Sequence, residues 1–452
     1  LSGSGILGGL GSVGGRRARA REAGAAGCAR RAVWKVILGI TPIILTMIIH
    51  RPYETKLISK GKNWVMVYGR RKTGKTFLVR SFVRHDEYFF VRRDRTILTG
   101  RDGGTLGYEA FTEVLRRGLA DGKTMVVDEF HRLGDGFFDL LHATERTGRL
   151  ILVSSTLFMA RKLLSGRSPL LGMFTEVRVP LISFSDCAAA LKSDVKGKRE
   201  LVELSAVLAE PLAIGYHDGT RSPGQVLSEV VAGSALTVPG LMGEIFIEEE
   251  RGLSAIYEGI SRAVATGKVV SGEISGYLFS RKLISRDDPS TVQQHLNNLV
   301  KFGILKRIEV LGKAKYIYKH VSPLARLFYY ADEKYNLSEQ ERPGRELRRV
   351  VDELIPRVVE DAVRTAFAEK LGLREAVVEA ADHDIDACLL KFQKPEVVIE
   401  VKWKKKVDSE DVRKAEQTLH RIGAKRRLMF VPDRAGLTSD KIEIVDVSEL
   451  LS

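Results

Sequence analysis

The sequence predicts an α/β chain of several domains. A parallel sheet carrying a phosphate-binding turn comes first. A helical lid, a three-helix module with a hairpin, and a second α/β domain follow. Three stretches predict this. GRRKTGKT, Gly69–Thr76, lies between an apolar run and a helical periodicity. Helical segments ending in DPSTVQQHLNNLV lead into two short strands across LGKAK. Farther on, DIDACLL, FQKP and EVVIEVKW read as strand, turn and return strand.

The bulk numbers set the frame. With 452 residues, 44% of them hydrophobic, the chain can build roughly two to four domains with real cores. Lys and Arg number 72 against 57 Asp and Glu, a formal net charge of +15. Such an excess favours an anionic partner, nucleic acid before membrane. Cys28, Cys187 and Cys388 form no CxxC pattern. A disulfide framework is therefore not expected, and a reducing, cytoplasmic setting is.

Residues 1–46 stand apart. They are Gly-, Ala- and Arg-rich, and the chain starts at Leu1. The apolar run Val36–Ile49 is shorter than the roughly 20 residues a spanning helix needs. The leader is expected to be disordered or translated upstream DNA, with the folded part beginning near Met47. A membrane anchor is the alternative, and a membrane partner is not the expectation.

Gly69-Arg70-Arg71-Lys72-Thr73-Gly74-Lys75-Thr76 matches GxxxxGK[ST] at every fixed position. Trp64–Tyr68 before it suits a buried parallel strand, and Phe77–Val83 after it has helical periodicity. Backbone N–H groups of such a turn, Gly69 to Thr76, face the phosphates of a nucleotide. Lys75 is placed to reach the β- and γ-phosphates, and the Thr76 hydroxyl to bind Mg²⁺. ATP and Mg²⁺ are thus the expected cofactors. This segment, 47–185, reads as a P-loop NTPase core with a parallel sheet.

A second apolar run, Thr124–Val127, ends in Asp128 and Glu129. A carboxylate at such a strand end holds the Mg²⁺ shell, the role expected of Asp128. Glu129 is then the general base that polarises the attacking water. A third run, Arg149–Val153, ends in Ser154, Ser155 and Thr156. Ser155 or Thr156 senses the γ-phosphate, or simply caps the next helix.

HRPYETKL, the phosphate-binding turn, VVDEFHRL, LILVSSTLFMARKLL and SPLLGMFTEVRVPLISF follow one another in an order that resembles the archaeal AAA-type ATPases of the STAND-like branch. The resemblance implies that Arg51, with Glu54, lies near the adenine side of the nucleotide. It also implies that homo-oligomers are open to this chain. Two positions depart from the family: Arg70 stands where a Pro is usual, and Met173 where an Arg is usual. The family's arginine role then falls to Arg167 or Arg178, or hydrolysis is slow.

Residues 186–250 read as the helical lid after such a core. Residues 251–335 read as a winged helix-turn-helix. Asp288 caps the third helix, with Val292, Leu296 and Leu299 as its apolar stripe. Gln293, Gln294, His295, Asn297 and Asn298 lie mostly off the stripe. Gln293, Gln294 and Asn297 are of the type that reads base edges, and Lys313 and Lys315 on the wing suit phosphate contact. The plain alternative is a module that only packs between domains.

Residues 344–452 read as a last α/β domain. Glu400 and Lys402 share a strand face, Ile399 and Val401 point into the core, and the turn brings Asp386 beside them. Two carboxylates, Asp386 and Glu400, hold Mg²⁺ against a scissile phosphate, and Lys402 orients a water. The set resembles that of the PD-(D/E)XK nucleases, and the resemblance implies that Glu360 on the preceding helix and Gln417 on the following one occupy places where that fold often adds site residues. D…ExK is the arrangement of the PD-(D/E)XK nucleases, so this domain is expected to be restriction-endonuclease-like. The resembled ATPases commonly carry such a domain with an "ID…EVKWK" signature. The expectation is an ATP-hydrolysing AAA-type ATPase coupled to a DNA-binding, Mg²⁺-dependent nuclease-like domain. The alternative is an ATP-gated DNA- or protein-binding switch whose last domain does not cleave.

Overall fold

Two mixed sheets organise the chain. The computed structural model describes residues 47–61, 64–100, 103–155, 170–248, 254–340, 342–379 and 384–451. The leader, with both readings of it, lies outside them, as do Thr156 and Arg167.

The first sheet comprises β1 (Trp64–Tyr68), β2 (Glu87–Val91), β3 (Ile97–Thr99), β4 (Thr105–Leu106), β5 (Thr124–Asp128), β6 (Arg149–Ser154) and β7 (Phe174–Arg178). Their order is β4-β3-β2-β5-β6-β1-β7. The pairs from β2 through β5, β6 and β1 to β7 are parallel, while β3 and β4 are antiparallel additions. The parallel strands are apolar almost throughout because both faces are covered. Trp64, Met66, Val127 and Leu152 pack on one side; Val65, Val67, Val126 and Val153 pack on the other. Met173 is buried in the first of these clusters. Where the resembled family carries an Arg, this chain has a core residue.

The second sheet comprises β8 (Leu305–Val310), β9 (Tyr316–His320), β10 (Arg374–Glu379), β11 (Asp384–Lys391), β12 (Lys394–Val401), β13 (Arg426–Phe430) and β14 (Glu443–Val445). Its order is β14-β13-β12-β11-β10-β8-β9. The hairpin of the segment read as a winged helix is therefore continuous with the last domain. Ala376 pairs with Glu309 and Val377 with Val310, in parallel. The ladder spans the segments expected as separate domains and joins residues far apart in sequence.

Between the sheets in sequence run helices that include Phe184–Leu191, Lys198–Leu208, Pro223–Ala232 and Thr237–Glu248, then Ala255–Ala265, Ser271–Ser280 and Pro289–Lys301. Asp288 accepts the Ser290 N–H at 2.9 Å and starts the last of these, with Pro289 inside its first turn. Helix Pro323–Tyr335 and the long helix Gly344–Leu371 complete this part. One apolar cluster runs from Phe184 and Leu204 through Phe246, Leu296 and Phe328 to Phe367 and Trp403. Among the described residues no single helix is long and apolar enough to cross a membrane.

Candidate functional site

The phosphate-binding turn is built around two glycines. Gly69 lies against the next strand: a Cβ there would sit 2.2 Å from the Val179 carbonyl oxygen. Gly74 has φ +84°, in the left-handed region that favours glycine, and opens helix Lys75–Phe82. Lys72, exposed at the turn's tip, also has positive φ. Lys75 is buried, and its ammonium donates to the Arg70 carbonyl at 2.9 Å. Thr73 donates to the same carbonyl.

Thr76 and Asp128 are in direct contact. The Thr76 hydroxyl donates to Asp128 Oδ2 at 2.7 Å. Asp128 is fully buried at the end of β5, and burial pushes its carboxyl up. Tyr88 donates to the same oxygen at 2.6 Å. Burial, then Asp128, pushes the Tyr88 phenol up in turn, so it stays a donor. The hard oxygens of Thr76 and Asp128 fit Mg²⁺.

Glu129 follows in left-handed conformation, φ 57°. Arg132 lies 3.2 Å from its carboxylate, His131 lies 3.5 Å away, and Ser155 donates to it at 3.2 Å. Ser154 Oγ and His131 Nδ1 are 3.2 Å apart. The candidate base and the candidate γ-phosphate sensor, Ser155, are thus in direct contact. An Arg three residues after the Glu was a readable signal for Arg132; Tyr88 had none, because only strand order brings β2 beside β5.

Arg51 lies behind the turn. Its guanidinium is buried and pairs with Glu54 at 2.6 Å. It also donates to the carbonyls of Thr73, Pro180 and Leu181 at 3.1–3.2 Å. Arg51 thereby ties the turn, through Thr73, to Pro180 and Leu181. Arg70 and Arg71 also turn to protein: Arg70 to Glu210 at 3.0 Å and Arg71 to Glu244 at 2.8 Å. Arg178 is exposed at the end of β7, paired in register with Tyr68, the last residue before the turn.

The second constellation lies on β11 and β12. Ala387 pairs with Ile399 in antiparallel register, so Asp386 and Glu400, one step beyond, face each other. Asp386 accepts the Val401 N–H at 2.8 Å, and Lys402 Nζ lies 2.5 Å from Glu400. Both strand faces are buried, contrary to the one-sided expectation. Ile399 and Val401 pack with the long helix's Val363 and Phe367; Val398 and Cys388 pack with Val412 and Leu419 of helix Ser409–His420. Gln417 is exposed on that helix.

Glu360 joins the group electrostatically. Burial, Asp386 and Asp361 push its carboxyl up to about 7. Burial likewise pushes Asp386 up. Next to them, Asp361 receives Lys319 and Arg326 at 2.6 Å and Arg364 at 2.5 Å. Burial opposes its charge, yet Lys319, Arg364 and Arg326 hold it well below the usual carboxylate range. Arg364 also reaches Glu375 at 3.0 Å and the Asp386 carbonyl at 3.3 Å. A carboxylate whose acidic neighbours raise its affinity for protons has the donor chemistry for a hard cation. Among the described residues no three His, Cys, Asp or Glu side chains already converge in metal-binding geometry. Asp386 and Glu400 would hold Mg²⁺ as a pair.

The candidate base readers are engaged within the protein. Gln293 donates to Asn297 and to the Tyr318 hydroxyl, Gln294 donates to Asn298, and buried Asn298 donates to the Tyr257 hydroxyl. His295 packs edge-on against Tyr257. Lys315 and Lys313 lie 2.7 and 3.8 Å from Glu379. Both wing lysines, half-exposed, thus face Glu379 of the last domain.

No family model and no curated protein matches the chain. Solved structures with some likeness include the Aeropyrum pernix ORC2 protein, at 14% identity and TM-score 0.34, over 69% of this chain and 92% of that one. The A. pernix ORC1 protein in complex with DNA matches at 14% identity and TM-score 0.30, over 65% and 95%. A Pyrococcus horikoshii signal-transduction ATPase with numerous domains, bearing a tetratricopeptide-repeat sensor, matches at 16% identity and TM-score 0.30, over 72% of this chain and 52% of that one. This chain thus spans about half the length of the Pyrococcus protein.

Proposed function

We propose that this protein is a cytoplasmic AAA-type ATPase that binds and hydrolyses ATP, coupled to a DNA-binding, nuclease-like C-terminal domain. The observation that carries the first part is the Thr76–Asp128 contact at 2.7 Å beside Lys75, with Glu129 next in line. Backbone N–H groups of Gly69–Thr76 bind the phosphates, and Lys75 moves from the Arg70 carbonyl to the β- and γ-phosphates. Glu129 orients the attacking water and takes its proton, once Arg132 and Ser155 release its carboxylate. Thr76 and Asp128 would hold Mg²⁺, which offsets charge on the transferring phosphoryl group. Of the two arginines expected to assist it, Arg178 is the described one.

At the second site Asp386 and Glu400 would hold Mg²⁺, and Lys402 orients the water that attacks a DNA phosphate. Glu360, poised near neutrality, moves a proton there. The alternative is an ATP-gated switch that binds DNA or protein without cutting. The wing lysines engaged with Glu379 favour it, since they make DNA contact conditional on a rearrangement.

The test is cleavage of plasmid and branched DNA with Mg²⁺ or Mn²⁺, with and without ATP, in the unaltered protein, Glu400→Ala and Lys75→Ala. Metal-dependent cleavage lost in Glu400→Ala supports the nuclease. ATP binding without cleavage in any form moves the reading to the switch. Undiminished ATP binding by Lys75→Ala contradicts the nucleotide site.

A further inference from the structure

The β11–β12 hairpin ends in Lys391-Phe392-Gln393-Lys394, and its aromatic ring stands in water. Phe392 is 89% exposed. Phe392 and Gln393 both take positive φ, 47° and 72°. A two-residue turn of this hand is the natural place of Asn-Gly, because other side chains are crowded there. A phenyl ring at this point pays twice, in backbone strain and in apolar surface left wet. Lys391 and Lys394, the paired residues that flank it, are also exposed. Among the described residues no ion pair holds either ammonium. Arg374 reaches the tip as well, donating to the Gln393 side chain at 2.8 Å.

We infer that this tip is a nucleic-acid contact in which the Phe392 ring stacks on an exposed base while Lys391 and Lys394 meet the flanking phosphates. An aromatic face between two cations complements a base between two phosphates. The tip stands at the far end of the hairpin from the carboxylate pair: Lys391 and Asp386 lie on one strand, five residues and thus about 17 Å apart. The inference rests on the DNA reading above and narrows its substrate class. A fully stacked duplex hides its ring faces, so the ligand is DNA with bases out of the stack: a single-stranded stretch, an end or a branch.

The test uses the full chain and fluorescence anisotropy with two probes, a single-stranded oligonucleotide and a duplex closed at both ends by hairpin caps. The variants are Phe392→Tyr, Phe392→Leu and the pair Phe392→Asn with Gln393→Gly. The pair relieves the turn, so its melting temperature stays level or rises and misfolding cannot explain a loss. The expected result is roughly fivefold or weaker single-strand binding for Phe392→Leu and for the pair. Phe392→Tyr stays within about twofold, and the capped duplex is nearly indifferent to all three. Equal single-strand affinity in every variant overturns the inference, as does equal loss on both probes. Phe392-dependent capture of anionic phospholipid vesicles, with DNA binding unchanged, overturns it in favour of a membrane contact. If the unaltered chain binds neither DNA, the DNA reading itself falls and takes this inference with it.

Discussion

Arg70, in the phosphate-binding turn, lies 3.0 Å from the Glu210 carboxylate, and that carboxylate also accepts the Ser322 hydroxyl at 2.5 Å. Ser322 in turn accepts the Ala325 N–H and caps helix Pro323–Tyr335. One buried carboxylate therefore joins the nucleotide turn to the part of the chain that carries the second sheet. Just before Glu210 in sequence, helix Lys198–Leu208 makes further links: Glu203 accepts the Trp403 indole at 3.0 Å, and Lys198 reaches Asp446 at 2.8 Å. Trp403 directly follows Lys402. On the proposed reading, a shift of the turn on binding ATP would have a short path to the carboxylate pair.

Glu210→Gln keeps the shape and removes the charge. Arg70 is left buried without its counter-ion, and the expected loss of stability is about 3 kcal/mol. Denaturant unfolding of Arg70→Ala, Glu210→Gln and the double variant checks this. The double variant should be less destabilised than the sum of the singles. Additive losses would mean that the contact carries no coupling.

Glu129→Gln separates binding from chemistry. ATP affinity should stay within about threefold, while kcat falls by roughly 10²–10⁴. Equilibrium nucleotide binding and steady-state phosphate release measure the two. Full hydrolysis by the variant would remove Glu129 from the role of base.

Glu379→Gln frees Lys313 and Lys315. DNA affinity should rise, and the dependence of log K on log salt should steepen by up to about 2 as two more ammonium groups meet phosphates. Titrations at two salt concentrations decide it. Unchanged affinity would mean that the wing plays no part in DNA contact.

Glu360 makes stability depend on pH. Its carboxyl ordinarily titrates at 4.5 and is pushed up to about 7 in the fold, by burial first and then by Asp386 and Asp361. The folded chain therefore holds this proton more tightly than the unfolded one. The contribution is fully present below pH 4.5 and is lost as pH rises through about 7. Glu360→Gln has no proton to lose, so relative to the unaltered chain it should gain up to about 3 kcal/mol between pH 5 and 8. Thermal melts of both proteins at the two pH values test the sign. A constant difference would place Glu360 outside the coupled group.

What the sequence by itself determined is local. GRRKTGKT between an apolar strand and a helix names its own turn, because Gly69 and Gly74 meet constraints that few residues satisfy. Asp128 after four strand residues, Asp288 before Pro289, and Asp386 against Glu400 across a short turn are also legible, since each depends on neighbours or on a hairpin register. Tertiary structure decided the rest. Arg51 became a tie for the turn only when the carbonyls of Pro180 and Leu181 came beside it. Lys313 and Lys315 met Glu379, which the β8–β10 pairing brings near. Arg70 met Glu210, and Glu203 met Trp403, across separations that leave no periodicity to read. A charge announces itself in the sequence; its partner, when it comes from another element, is chosen by packing.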